Sequence, residues 1–143
     1  MKILIINGPN LNLLGQREPS IYGTESLSEI MEWLKEQPTA RKHDIHWFQS
    51  NSEGEIINCI HSAIDEKDGI VINPGALTHY SYALRDALTA AGIPAVEVHL
   101  SDLGNREDFR KISVIKDVCL SQVTGLGKHS YLEGLKIILK HLE

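Results

Sequence analysis

The 143-residue sequence holds only two cysteines, Cys59 and Cys119. Two are too few for a disulfide framework, so the expected state is a pair of reduced, buried thiols in a reducing compartment. No apolar run approaches the length of a membrane span. No secretory leader is visible either, because Lys2 is followed by four strongly apolar residues and then Asn7. A cytoplasmic protein without a membrane partner is the expectation. Basic residues are in deficit, with a formal net charge of −5, which speaks against a nucleic-acid partner. A small anionic substrate stays compatible, since a few arginines suffice for one pocket. Linkers, low-complexity segments and internal repeats are all missing, so residues 1–143 read as one domain, long enough for a sizeable core.

Several familiar motifs are missing too. Gly8 and Gly15 lack the spacing of a dinucleotide fingerprint after the first strand. Gly125-Leu126-Gly127-Lys128 resembles part of a phosphate loop, but Gln122 stands at the first glycine position and His129 at the Ser/Thr position. No serine lies in a nucleophile elbow. His43 and His46 on a strand point to opposite faces, so they do not form a metal pair. Asn73 ends the third strand where response-regulator chemistry needs an aspartate. A flavin carrier would need a short Ser/Thr-rich loop after the first strand, and none is there. No lysine sits in a strand to form a Schiff base except Lys2, at the entrance end.

What is present is an alternation of strands and helices. Ile3-Leu4-Ile5-Ile6 is a continuous apolar run ended by Asn7-Gly8-Pro9, the pattern of a strand buried on both faces. A long polar loop follows, to about Gly23. It carries Asn10, Asn12, Arg17 and Tyr22, with Leu11, Leu13, Leu14 and Ile21 to bury. Connections are usually about 4–6 residues, so a loop this long points to function. Leu27, Ile30, Met31 and Leu34 share a helical face, with a capping box at Ser26 and Glu29 and Pro38 at the end.

His43–Gln49 is the expected second strand. Ser52 and Glu55 repeat the capping-box spacing before Ile56, Ile60, Ala63 and Ile64. Gly69–Ile72 is the third strand. Thr78 is the expected cap of a helix burying Ala83, Leu84, Ala87, Leu88 and Ala91, closed by Gly92 and Pro94. Ala95–His99 is the fourth strand, Glu107–Lys111 a short helix and Val118–Val123 the fifth strand. A last helix from about Ser130 buries Leu132, Leu135, Ile138, Leu139 and Leu142.

Five β-α repeats imply an α/β, flavodoxin-like three-layer sandwich, its five-stranded parallel sheet in the order 2-1-3-4-5. Ligands bind such sheets beyond the carboxyl ends of the strands, at the switch point between strands 1 and 3. Three stretches meet there: the loop with Asn10, Asn12, Arg17 and Tyr22; Asn73 and His79; and Glu97, His99, Ser101 and Arg110.

A phenol has a pKa of about 10 and is a poor base until a cation favours its phenolate. Arg17, five residues before Tyr22, is close enough in the chain to do this. A loop tyrosine anchored on the core beside a solvated arginine fits the same residues. His99, at the end of a strand with Glu97 two residues back on the same face, can protonate a leaving hydroxyl, or be a structural histidine. His79 at a helix start faces donors that favour anions, or is a surface residue near a cap. Asn73-Pro74-Gly75 offers amide contacts or only a tight turn. Arg110 suits a carboxylate or is solvated. Asp86 within a helix is by default a solvent-facing charge.

Asn7-Gly8-Pro9-Asn10-Leu11-Asn12-Leu13-Leu14-Gly15, with Arg17 and Tyr22-Gly23, resembles the opening of the type II 3-dehydroquinate dehydratases. Asn73-Pro74-Gly75-Ala76 with Thr78-His79 is similar to that family's second motif. Glu97-Val98-His99-Leu100-Ser101, then Arg106-Glu107 and Phe109-Arg110, is similar to its third. The resemblance runs nearly end to end. It implies a hydro-lyase of the shikimate pathway or its catabolic counterpart, converting 3-dehydroquinate to 3-dehydroshikimate through an enolate. Tyr22 would be the base, Arg17 its stabiliser, Asn12 the support of the enolate through water, and His99 the acid oriented by Glu97. Asn73, His79, Leu100, Ser101 and Arg110 would bind substrate, joined by Asp86 across a subunit contact. The resemblance further implies no metal or cofactor and a homo-dodecamer built as a tetramer of trimers. Asp102, after Ser101, departs from the asparagine usual there and adds a negative charge beside a carboxylate-binding loop. The competing reading is a non-catalytic flavodoxin-like ligand-binding protein.

Overall fold

The computed structural model describes residues 1–16, 20 and 23–143. Five parallel strands, β1 (Lys2–Asn7), β2 (Asp44–Gln49), β3 (Gly69–Asn73), β4 (Ala95–Val98) and β5 (Ser121–Val123), lie in the order β2-β1-β3-β4-β5. The expected strand order holds. Among the described residues the helices are α1 (Leu27–Glu36), the single turn α2 (Pro38–Arg41), α3 (Glu53–Ser62), α4 (Tyr82–Ala91) and α5 (His129–Leu142), with short 3-10 turns between them. Among the described residues no helix is long and apolar enough to cross a membrane.

Strand periodicity builds the three layers. Ile3 and Ile5 of β1, with Val71, Val96 and Val98, pack under Ile30, Met31 and Leu34 of α1 and Tyr131, Leu135 and Ile138 of α5. Leu4 and Ile6, with Ile70, Ile72 and Ala95, face Ile56 and Ile60 of α3 and Leu84, Ala87 and Leu88 of α4. Alternate residues of one strand thus serve opposite layers. That is why Ile3–Ile6 of β1 and Ile70–Ile72 of β3 are apolar without interruption. Each such Ile or Leu contributes about 1.5–3 kcal/mol on burial.

Ser26 and Glu29 form both halves of the capping box at α1. At α3 only half forms. Ser52 Oγ accepts from the Glu55 backbone N–H at 3.2 Å, while the Glu55 carboxylate takes the Ser50 hydroxyl instead. Ile64, expected on the buried face of that helix, lies past its end and is 40% exposed. Gly92, with φ +67°, closes α4 as expected. The start of α4 differs from expectation. Thr78 lies in a 3-10 turn, Gly75–His79, and Ser81 is the cap, accepting from the Leu84 N–H at 3.0 Å. The Thr78 hydroxyl is engaged by a buried carboxylate, which leaves the capping role to Ser81. Ala83 is exposed rather than buried, because it lies off the face that Leu84, Ala87 and Leu88 turn to the sheet. β5 is also shorter than expected, since Lys116–Val118 forms a 3-10 turn. Both cysteines are free and only partly buried.

Candidate active site

The cleft opens where the fold predicts, beyond the carboxyl ends of β1, β3 and β4. Asn7 and Asn73 are register partners at the ends of β1 and β3, and Ile72 pairs with Glu97. The loops after β1 and β3 lock together. The Gly8 N–H donates to Asn73 O at 2.8 Å. A Cβ at Gly8 would strike the Pro74 carbonyl, and one at Gly75, where φ is +59°, would sit 2.9 Å from Pro9 O. Both positions therefore require glycine for close backbone approach.

Asn10, Asn73, His79, His99, Leu100 and Ser101 line this cleft, together with Arg106 and Arg110. The structure thus brings most of the sequence-derived candidates into one place. Glu97 stands behind His99, with no exposed surface. Asn12 is exposed on the 3-10 turn Leu11–Leu13 and does not line the cleft of its own chain. Asp86 is exposed on α4 and is likewise absent from the lining, because that helix leads away from the strand ends. Arg17 and Tyr22 lie outside the described residues.

His99 and Glu97 form a buried pair, with His99 Nε2 2.5 Å from Glu97 Oε2. Thr78 Oγ1 donates to Oε2 at 2.5 Å and Ser113 Oγ to Oε1 at 2.8 Å. Burial pushes the Glu97 carboxyl up. The hydrogen bond and charge of His99, with the two hydroxyls, outweigh burial and hold it below the ordinary carboxylate range. An ionised Glu97 only accepts, so Nε2 carries the ring proton, and Nδ1 is the nitrogen left for the cleft.

His79 Nδ1 lies 2.7 Å from Ile112 O. A carbonyl only accepts, so Nδ1–H donates and Nε2 is the free acceptor of the neutral ring. Burial leads a depression of the His79 pKa, opposed by that hydrogen bond. Phe109 supports the site from the side, edge-on to His79 at 6.2 Å and under the Arg110 guanidinium at 4.7 Å. Arg110 Nε donates to Glu107 at 3.0 Å, and Arg106 Nη1 donates to Ser101 Oγ at 3.2 Å. Leu100 and Ser101 are fixed by backbone donors from Gly127 at 3.0 Å and Gly125 at 3.1 Å. Asp102 turns its carboxylate onto its own chain, accepting from Gly104 N at 2.9 Å and Asn105 Nδ2 at 3.1 Å.

Two supporting residues were not among the sequence candidates. Ser113 lies in an ordinary loop composition. Tyr131 is fully buried in α5, donating to Asn7 Oδ1 at 2.6 Å and accepting from Asn73 Nδ2 at 3.0 Å. A tyrosine on the apolar face of the last helix was the available clue, since its hydroxyl needs a buried partner.

Residues 1–139 match the family described as dehydroquinase class II. The chain belongs to that family. It is 50% identical to a 3-dehydroquinate dehydratase of Clostridium perfringens over 144 residues, covering 100% of this chain and 99% of that protein. With a 3-dehydroquinate dehydratase of Pelotomaculum thermopropionicum the identity is 54% over 136 residues, 95% and 94% of the two chains. The crystal structure of a type II dehydroquinase from Butyrivibrio crossotus superposes with a TM-score of 0.94 at 47% identity, covering 97% of each chain. Membership makes the chain an enzyme of the hydro-lyase class, on the five-stranded parallel sheet described above.

Proposed function

We propose that the chain dehydrates 3-dehydroquinate to 3-dehydroshikimate by way of an enolate. In this reading the Tyr22 phenolate, stabilised by the Arg17 guanidinium, removes the proton on the carbon next to the ketone. The electron pair moves onto the ketone oxygen, and a water held by Asn12 stabilises the enolate. The enolate then re-forms the ketone and expels the β-hydroxyl. His99, protonated at Nδ1, gives that hydroxyl its proton and releases it as water. Glu97 keeps the imidazolium oriented. Arg110 and the Leu100-Ser101 backbone hold the substrate carboxylate, while Asn73 and His79 hold hydroxyls. Asp86 reaches the site of a neighbouring subunit in a dodecamer, a tetramer of trimers.

The observation that carries the acid half is the buried His99–Glu97 pair at the wall of the cleft, 2.5 Å apart. Its ring presents one nitrogen to the ligand, as a general acid must. Arg110 on the same rim suits the negative charge of the substrate. The test follows the conjugated enone by its ultraviolet absorbance. Tyr22→Phe should lose turnover by about 1,000-fold, the middle of the range for one acid–base group, with an unchanged circular dichroism spectrum. Wild-type turnover in that variant would remove Tyr22 as the base.

A further inference from the structure

A protonated His99–Glu97 pair can hold its second proton in two ways. In one, the proton stays on the ring as imidazolium against carboxylate. In the other it crosses to Glu97, leaving a neutral ring protonated at Nδ1 and a carboxylic acid. Only the first is a useful acid, and burial of the pair favours the second.

The hydroxyls of Thr78 and Ser113 decide between them by proton inventory. Ser113 Oγ accepts from the Ile115 N–H at 3.3 Å and the Lys116 N–H at 3.1 Å. Both of its lone pairs are therefore used, and its one proton must be donated outward. Glu97 Oε1, at 2.8 Å, receives it. Thr78 Oγ1 lies 3.1 Å from Ser113 Oγ, but that oxygen has no lone pair left to accept. The Thr78 proton goes to Glu97 Oε2, at 2.5 Å. Each carboxylate oxygen thus meets a hydroxyl donor. Oε2, the oxygen beside the ring, is the atom that would have to take the ring proton. The backbone holds the two hydroxyls in place, since the Val114 N–H donates to Thr78 O at 2.7 Å.

We propose that Thr78 and Ser113 are positioning residues that clamp Glu97 as a carboxylate and so keep His99 a charged acid. The inference rests on the role given to His99 above. The other titratable groups that feel the pair are His79, itself beside Arg110, and the Cys119 thiol. The same clamp ties the acid to the segment carrying Arg110 and Ile112, whose carbonyl orients His79.

The test compares the wild type with Thr78→Ser, Thr78→Val, Ser113→Ala and the Thr78→Val/Ser113→Ala double variant. Solid-state nitrogen-15 spectra of sedimented, histidine-labelled protein without substrate are taken as the pH is lowered, with His99→Asn assigning the His99 signals. The wild type and Thr78→Ser should pass to an imidazolium with both nitrogens protonated. The double variant should keep a neutral ring protonated at Nδ1 over the same range. Its kcat should fall on the order of 10–100-fold, the loss seen when the partner that orients a metal-bound histidine is removed, with KM within about threefold. An imidazolium in the double variant, equal losses in Thr78→Ser and Thr78→Val, or a loss confined to KM would overturn the proposal. A wild type that forms no enone would overturn the proposed function, while the spectra would still decide the clamp.

Discussion

Replacing Tyr131 by Phe removes one oxygen atom and leaves the ring packing of α5 intact. That oxygen joins the ends of β1 and β3, through Asn7 Oδ1 at 2.6 Å and Asn73 Nδ2 at 3.0 Å. Tyr131 has no exposed surface, and its neighbours Asn7 and Asn73 are 0% and 2% exposed. The Asn73 amide cannot turn over to compensate, because its Oδ1 accepts from the Gly75 N–H at 3.3 Å. Two buried polar atoms would lose a partner, at about 1–3 kcal/mol each. They share one site and relax together, so about 2–4 kcal/mol is expected for the pair. An unfolding entropy of about 2.1 cal/mol/K per residue gives about 0.3 kcal/mol/K for 143 residues. The melting temperature should then fall by roughly 7–13 °C. The assay is a circular dichroism melt of both proteins at one concentration, since any self-association would shift the midpoint by mass action. A fall below about 2 °C would refute the claim that the two amides depend on this hydroxyl.

Gly8→Ala forces a methyl group into the Pro74 carbonyl. It should cost about 1–3 kcal/mol, by overpacking where neither backbone can yield, measured as a lower urea midpoint. Glu97 lies below its ordinary range when folded, so its stabilisation is complete above the unfolded value of about 4.3 and is lost as pH falls through the lower folded value. Glu97→Gln should therefore be destabilised at pH near 7 and decline less steeply than the wild type below about pH 4, read from urea midpoints at each pH; parallel curves would contradict this. Asp102→Asn should change KM by less than about threefold, since charges on the order of 10 Å apart in water interact by only about 0.4 kcal/mol; a tenfold drop in KM would show the Asp102 charge acting on the substrate directly.

The architecture was legible because periodicity reports burial directly. Ile3–Ile6 and Ile70–Ile72 are apolar at every position, and with turn residues closing such short runs the pattern is that of a strand covered on both faces. The cleft followed from topology, since a 2-1-3-4-5 sheet puts the loops after β1, β3 and β4 at one end. The two misread capping signals share a cause. Thr78 looked like a cap because Thr before an apolar helical face usually is one. A carboxylate 19 residues away in the chain took its hydroxyl instead. Glu55 has capping-box spacing, yet its carboxylate found Ser50. Polar partners outside the helix override capping signals, and one sequence does not display them. The partners of Ser113 and Tyr131 were hidden for the same reason, because they lie on β4, β1 and β3.

The charge of the cleft runs against the charge of the chain. The protein carries a net −5, yet the cleft lining includes Arg106, Arg110, His79 and His99 and no carboxylate among the described residues. Glu107 pairs with Arg110 Nε at 3.0 Å, and two further acids beside lining residues are turned away from the cleft. Glu97 is buried behind His99, its oxygens filled by Thr78, Ser113 and the ring. Asp102 is folded onto the backbone and side chain of its own turn. A local field can thus favour an anion where the overall charge does not, because nearby donors outweigh distant screened charges. It also explains why Glu97 is held by neutral hydroxyls rather than by an arginine. An arginine there would set a second cation beside the charged ring that the proposed mechanism uses, whereas two hydroxyls stabilise the carboxylate and leave the charge of the pair to the ring.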